Sequence, residues 1–280
     1  MSDHTYVVGV DGTPGALRAV RWAAAMAGQR ERGLRLVHVV DDVTLRYPRP
    51  MPMREDPGAV LRARGHRLLR QARDAAAEFA PQLSVSLTLV TATVVSGLLS
   101  ACREADLLVL GTGELRPLGR VLLGSTSIAV AVHAACPVAL VRTHLAEDFP
   151  PSDGPVAVAV DDSPSSDEAV AIAFDEASWR ATGLVAVHSR SRFGAEGGED
   201  AIERRLAGWR EKYPDVPVDL VVDGRSPAEL VLDRADRAQL VVVGSRGRGE
   251  FTGMLLGSTS QTVMSYALCP VIVAKGRENG

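Results

Sequence analysis

The sequence predicts two tandem α/β domains, each a parallel sheet covered on both faces by helices. Three observations predict it. The chain repeats its own motifs, apolar runs of strand length alternate with runs of helix length, and 280 residues are enough for two cores of ordinary size.

The repeat is visible at the level of residues. Leu122-Leu123-Gly124-Ser125-Thr126-Ser127 recurs as Leu255-Leu256-Gly257-Ser258-Thr259-Ser260, and Cys136-Pro137-Val138 recurs as Cys269-Pro270-Val271. Val10-Asp11-Gly12-Thr13-Pro14 matches Val160-Asp161-Asp162-Ser163-Pro164, while Gly33 and His38 match Gly183 and His188, all at an offset of 150. From Gly111 onward the offset is 133, so the first half carries 17 extra residues, which fall in the Pro- and Arg-rich stretch 41–58. That stretch is read as a lid or a long loop.

Taken in order, the first half has apolar strand-length runs at 6–10, 34–40, 85–90, 107–110 and 138–141. Ala/Arg/Leu-rich runs of helix length, such as 14–32 and 62–79, lie between them. The second half repeats the pattern with strands at 156–160, 184–188, 216–222, 240–243 and 271–274, a helix starting near Pro164 and another over 258–268. Near-continuous apolar strands separated by helices imply parallel strands buried on both faces. Pro150-Pro151 and neighbouring charges mark residues 144–154 as a linker, giving domains at 1–143 and 155–280.

Composition narrows the function. A net charge of −3 argues against general affinity for nucleic acid or anionic membrane. The first apolar run is cut short by Asp11, which argues against a signal peptide, and no run is long enough to span a bilayer, so a cytoplasmic location is expected. Cys102, Cys136 and Cys269 are far apart and lack Cys-x-x-Cys spacing, so neither a disulfide framework nor a zinc site is expected.

The residues with most chemical content follow the fourth strand of the second half. Gly244-Ser245-Arg246-Gly247 leads, nine residues later, to Gly257-Ser258 at the start of a helix. A glycine turn lets backbone N–H groups approach an anion, and a helix N-terminus adds unpaired donors and a favourable dipole. Ser258 and Ser260 can cap that helix or donate to phosphate oxygens, and Arg246 and Arg248 add positive charge at the rim. The same residues also suit a plain turn and cap, and Asp161 suits a strand terminator; the conjunction of the two segments in both halves favours an anion site.

Gly244-x2-Gly247-x9-Gly257-Ser258 resembles the ATP-binding signature of universal stress proteins, Gly-x2-Gly-x9-Gly-Ser/Thr. The Val-Asp-x-Ser/Thr-Pro opening, the His at the end of strand two, the Cys-Pro-Val before strand five and Gly224-Arg225-Ser226-Pro227-Ala228-Glu229 before helix three are similar to that family too. The resemblance covers the chain twice. It implies a Rossmann-like, adenine nucleotide alpha hydrolase-like fold with five parallel strands in the order 3-2-1-4-5 in each domain, and a ligand crevice where the strand order reverses. By position it implies that Asp161 and backbone near Ser189 meet adenosine, while Gly244, Gly247, Gly257, Ser258 and Ser260 hold ribose and phosphates. The matching residues of the first half are Asp11, Val39, Gly111, Gly124, Ser125 and Ser127. Magnesium would accompany ATP by general chemistry, although no dedicated carboxylate cage is visible.

The first half departs from the signature. Gly111-Thr112-Gly113-Glu114 puts a carboxylate in place of the second glycine, and Thr91 and Val94 stand where the second half has Gly224 and Pro227. A positive-φ requirement at that glycine would cost about 1–2 kcal/mol. A carboxylate about 5 Å from a phosphate charge would add roughly 3 kcal/mol of repulsion at an effective dielectric near 20. Gly113, Arg116 and Arg120 can compensate, yet the second domain is expected to bind ATP more tightly.

The leading expectation is a stress-response regulatory module that binds ATP. A slow ATP-hydrolysing enzyme and a nucleotide-free interaction scaffold are the alternatives. No Ser-Gly-Gly-x-Asp-Ser follows strand one and there is no His-x-Gly-His, so no catalytic residue is assigned; His38 and His188 are read as structural. The apolar last strands, 137–141 and 270–274, are edges that recruit another strand. The family resemblance implies a pseudo-twofold pairing of the halves and allows a homodimer.

Overall fold

Each glycine-punctuated half of the sequence folds as a parallel sheet with helices on both faces. The computed structural model describes residues 4–41, 57–113, 123–142, 150–190, 198–247 and 256–276. Two compact units divide close to residue 141.

The first unit runs β1 (Thr5–Gly9), α1 (Pro14–Gln29), β2 (Gly33–Val40), α2 (Pro57–Ala77), β3 (Val85–Thr91), α3 (Val94–Ala101), β4 (Leu107–Gly111), α4 (Ser125–His133) and β5 (Val138–Val141). The second runs β6 (Val156–Ala159), α5 (Pro164–Trp179), β7 (Leu184–Ser189), α6 (Gly198–Lys212), β8 (Val218–Asp223), α7 (Pro227–Ala235), β9 (Leu240–Gly244), α8 (Ser258–Tyr266) and β10 (Val271–Ala274). Within each unit the strand pairings are parallel, in the order β3-β2-β1-β4-β5 in the first and β8-β7-β6-β9-β10 in the second. The fold class and the strand order of the sequence reading are therefore observed.

Burial follows from composition. Strands β4, β5, β9 and β10 are apolar and buried nearly throughout, whereas β3, with Ser86 and Leu87 exposed, forms one border of its sheet. Val158 pairs with Val242, and Val8 with Val109. The carboxyl ends of β6 and β9, and of β1 and β4, therefore lie side by side at the point where strand order reverses.

Several element ends differ from the sequence expectation. Helix α1 stops at Gln29, three residues before the expected end, because Glu31 turns left-handed at φ 52° and Arg32 N–H bonds back to the Ala27 carbonyl at 2.9 Å. Helix α5 ends the same way, with Ala181 at φ 49° and Thr182 N–H on the Ala177 carbonyl at 3.0 Å. Strand β8 starts at Val218, since Val216 closes a turn onto Tyr213. Helix α2 starts at Pro57, so the end of the 41–58 stretch is helical, while 42–56 lies outside the described residues. Of the expected linker only 150–154 is described; there Gly154, at φ 98°, accepts from Thr182 Oγ1 at 2.9 Å and Gln239 Nε2 at 2.7 Å.

One buried cation ties the chain following β5 into the second unit. Arg142 is 2% exposed, and its guanidinium donates to the carbonyls of Ala267 at 2.9 Å and Met264 at 2.7 Å, at the C-terminal end of α8. The helix dipole and orphan carbonyls compensate a charge that has no carboxylate among these bonds.

Candidate nucleotide site

The turn after β6 is built by hydroxyls. Ser163 caps α5, its side chain accepting from Ser166 N–H at 3.3 Å, and Pro164 fills the first helical position. Asp161 does not cap the helix itself. Its Oδ1 accepts from Ser163 N–H at 2.9 Å and from Ser163 Oγ at 2.5 Å, while Asp161 N–H donates to Ser166 Oγ at 2.9 Å. His188 is buried and bonds the Val160 carbonyl through Nδ1 at 2.9 Å; it braces the strand end that presents Asp161. His38 does the same to Val10 at 2.6 Å, and Asp11 accepts from Thr13 N–H at 2.8 Å and Oγ1 at 2.7 Å.

The glycine turn after β9 meets this loop. A Cβ built on Gly247 would lie 3.0 Å from Asp161 Oδ2, so the absent side chain lets the carboxylate approach the backbone. Gly247 is not in the left-handed region. This corrects the conditional premise of a positive-φ requirement: space beside Asp161, not backbone conformation, restricts that position. Glu114, its counterpart, lies outside the described residues, as do Arg116, Arg120 and Arg248.

Gly257 closes onto the same turn. Its N–H donates to the Ser245 carbonyl at 2.8 Å, and a Cβ there would be 3.5 Å from Arg246 Cα and 3.6 Å from Gly247 N, ordinary contacts. Gly257 is the N-cap of α8 and makes no side-chain cap bond. The N–H groups of Ser258, Thr259 and Ser260 therefore open the helix without a capping side chain. Helix α7 contrasts with it, since Ser226 and Glu229 complete a capping box there. Asp161, Gly247 and the start of α8 thus come together, which places a carboxylate beside the glycine turn and the uncapped helix start. The cradle suits a ligand with anionic and hydrogen-bonding ends.

Other expected residues take specific places. Gly244 packs on α5, where an added Cβ would be 2.7 Å from Ser165 Oγ and 3.0 Å from its backbone. Gly111 is tighter still, with the Gly15 carbonyl 2.2 Å from an added Cβ; in both units this glycine brings strand and helix into contact. Ser260 is buried and its Oγ donates to the Gly244 carbonyl at 2.5 Å, so neither it nor exposed Ser258 caps α8. Ser189, ending β7, donates through Oγ to the Arg225 carbonyl at 2.6 Å. In the first unit Asp11, Gly124 and Ser125 are exposed and Ser127 is buried, and the side chain of Val39 reaches the place a Cβ would take at Gly97. Gly124 is an N-cap without a side-chain bond and has nothing within 4 Å of an added Cβ.

Two residues that the sequence reading passed over shape the second unit. Ser165 Oγ donates to the Arg246 carbonyl and accepts from Arg246 N–H at 3.3 Å, which fixes the glycine turn on α5. Arg205 of α6 donates to the Asp161 carbonyl and pairs with Asp167 at 2.7 Å. Their signal was the difference between halves: Gly15 stands opposite Ser165, and Leu68 covers Gly12 in the first unit.

A family model described as "Universal stress protein family" matches residues 4–142 and again 154–275. The chain belongs to the universal stress protein family. It is 42% identical over 287 residues to universal stress protein Rv2005c of Mycobacterium tuberculosis, covering 97% of each chain. Universal stress protein Rv2623 of the same species is 40% identical over 290 residues, with 96% of this chain and 95% of the relative covered. Among solved structures, a universal stress protein from Archaeoglobus fulgidus superposes with a TM-score of 0.76 at 17% identity, covering 98% of this chain and 99% of the other; it supports the fold alone.

The rest of the described chemistry is quiet. The three cysteines are buried and none is in a disulfide; Cys102 and burial push the Cys136 thiol up, and burial pushes Cys269 up to about 12, so neither supplies a thiolate near neutral pH. Among the described residues no cluster of His, Cys, Asp and Glu is placed to hold a metal ion, and no helix is long and apolar enough to cross a membrane.

Proposed function

We propose that this universal stress protein is a regulatory module that binds ATP in its second unit. The observation that carries this is the meeting of Asp161 Oδ2 with Gly247 beside the uncapped start of α8. On this reading Asp161 and the backbone near Ser189 receive the adenosine end, and the N–H groups of Gly247, Ser258 and Thr259 receive phosphates. ATP supplies charge and shape to a binding equilibrium, and magnesium would enter with its phosphates. The first unit binds more weakly, because Glu114 puts negative charge where the second unit has Gly247.

Titrating the whole chain with ATP by calorimetry tests this. Gly257→Glu suits the purpose because its Cβ meets only ordinary contacts, and Gly124→Glu is its counterpart in open space. Binding should be lost in Gly257→Glu and largely kept in Gly124→Glu. Absence of binding in the parent chain, or equal losses in both variants, would defeat the proposal. Phosphate release that disappears in Gly257→Glu would favour the enzyme reading instead.

A further inference from the structure

We propose that the face shared by α1 and α2 in the first unit is a docking surface for an acidic segment of another polypeptide. A cavity of about 410 Å³ opens between these helices, lined by Arg67 and Arg70 and, further along the chain, by Asp74 and Glu78, with Arg21 of α1 against Glu78 at 3.6 Å. Leu17 and Ala75 supply its apolar lining.

The cavity lining carries three arginines against two carboxylates, and of the three only Arg21 meets an acid among the described residues. Helix α2 carries Arg62, Arg64, Arg67, Arg70 and Arg73 against the single carboxylate Asp74, and α1 adds Arg18 and Arg21 with no acid. Arg67 and Arg70 are exposed and make no ion pair among the described residues. Arg21 reaches Glu78 only at 3.6 Å, and its Nε is buried without an acceptor. Like charges crowded on adjacent helices repel, so the arrangement costs stability that a partner of opposite charge would offset.

The second unit is an internal control. Its helices α5 and α6 occupy the same place in the fold, yet two of the arginines of α6 are paired within the face. Arg205 pairs with Asp167 at 2.7 Å and Arg210 with Glu203 at 2.7 Å, and α6 carries Glu199, Asp200, Glu203 and Glu211 beside its four cations. The fold therefore does not require an arginine face here. Only the first copy has one.

Shape and sign select a polypeptide. From Arg67 to Glu78 the groove follows the helix for about 16 Å, the reach of roughly five extended residues. A duplex or an anionic bilayer presents negative charge at every point and would meet Asp74 and Glu78 along the same groove. A peptide can place carboxylates over Arg67 and Arg70, an apolar side chain over Leu17 and Ala75, and a neutral or basic one beside Asp74.

The test is fluorescence anisotropy on the full chain with labelled short peptides of Glu, Ser and Leu, and matched peptides with Lys or Gln in place of Glu. A DNA duplex and phosphatidylglycerol vesicles serve as competing probes. The acidic peptide should bind, more weakly as salt rises, and Arg67→Glu/Arg70→Glu should weaken it by about tenfold or more. Arg204→Glu on α6 should leave it unchanged. Both variants alter exposed positions, and an unshifted melting curve shows that they are folded. The inference is overturned if the acidic peptide does not bind, if the Arg67/Arg70 reversal leaves its affinity unchanged, or if duplex or vesicle binds more tightly at the same arginines.

Discussion

Replacing Gly247 by Glu recreates in the second unit the residue that the first half carries at Glu114. The Cβ would lie 3.0 Å from Asp161 Oδ2, closer than most real Cβ contacts, and Asp161 cannot swing freely because Ser163 holds its other oxygen at 2.5 Å. The local crowding should cost about 1 kcal/mol of stability. The larger effect falls on the ligand: a carboxylate about 5 Å from a phosphate charge costs roughly 3 kcal/mol at an effective dielectric near 20, about two orders of magnitude in affinity. Gly247→Gln has nearly the same shape and no charge, so it should retain most of that loss as binding. Calorimetric titration of both variants with ATP, beside their melting temperatures, separates crowding from charge. If Gln weakens binding as much as Glu, the electrostatic argument for the weaker first unit fails. If neither weakens it, Gly247 does not face the nucleotide.

Two further predictions concern stability. Arg142→Leu removes two hydrogen bonds from the end of α8 and leaves the carbonyls of Met264 and Ala267 buried without that donor; urea unfolding should show a loss of about 2–4 kcal/mol, and an unchanged midpoint would mean that the cation is dispensable. Burial holds the Arg142 guanidinium down to about 10, so a loss on mutation measures its bonds against a real desolvation cost. Where β8 leads into α7, Ser226 holds the Glu229 carboxyl below its ordinary 4.5, and Arg225 holds that of Asp223 below its ordinary 3.8. A depressed folded value means that the stabilisation is complete above the ordinary value and is lost as pH falls through the folded one. Melting temperatures taken from neutral pH down into the acid range should therefore fall more steeply for the parent than for Glu229→Gln, and parallel curves would remove Glu229 from the acid response.

The fold was legible because its strands are apolar on both faces and the duplication offers each signal twice. What escaped was chemistry with no single-residue mark. Helices α1 and α5 stop at left-handed Glu31 and Ala181, positions where glycine would have announced the stop. The placement of the candidate site residues was legible in part. Asp161, Gly247 and Gly257 share the end of the sheet where the strand order reverses, as the spacing suggested. The packing of Gly244 on Ser165 and the grip of Arg205 on the Asp161 carbonyl depend on which elements meet in space, and periodicity along the chain does not carry that information.

Amide chemical shifts followed during ATP addition to isotope-labelled protein test the central claim most directly. Gly247, Ser258 and Thr259 should shift together in saturable fashion, with Ser226 and Glu229 of the capped α7 unmoved. Stationary peaks at those three amides, while signals elsewhere move, would contradict it.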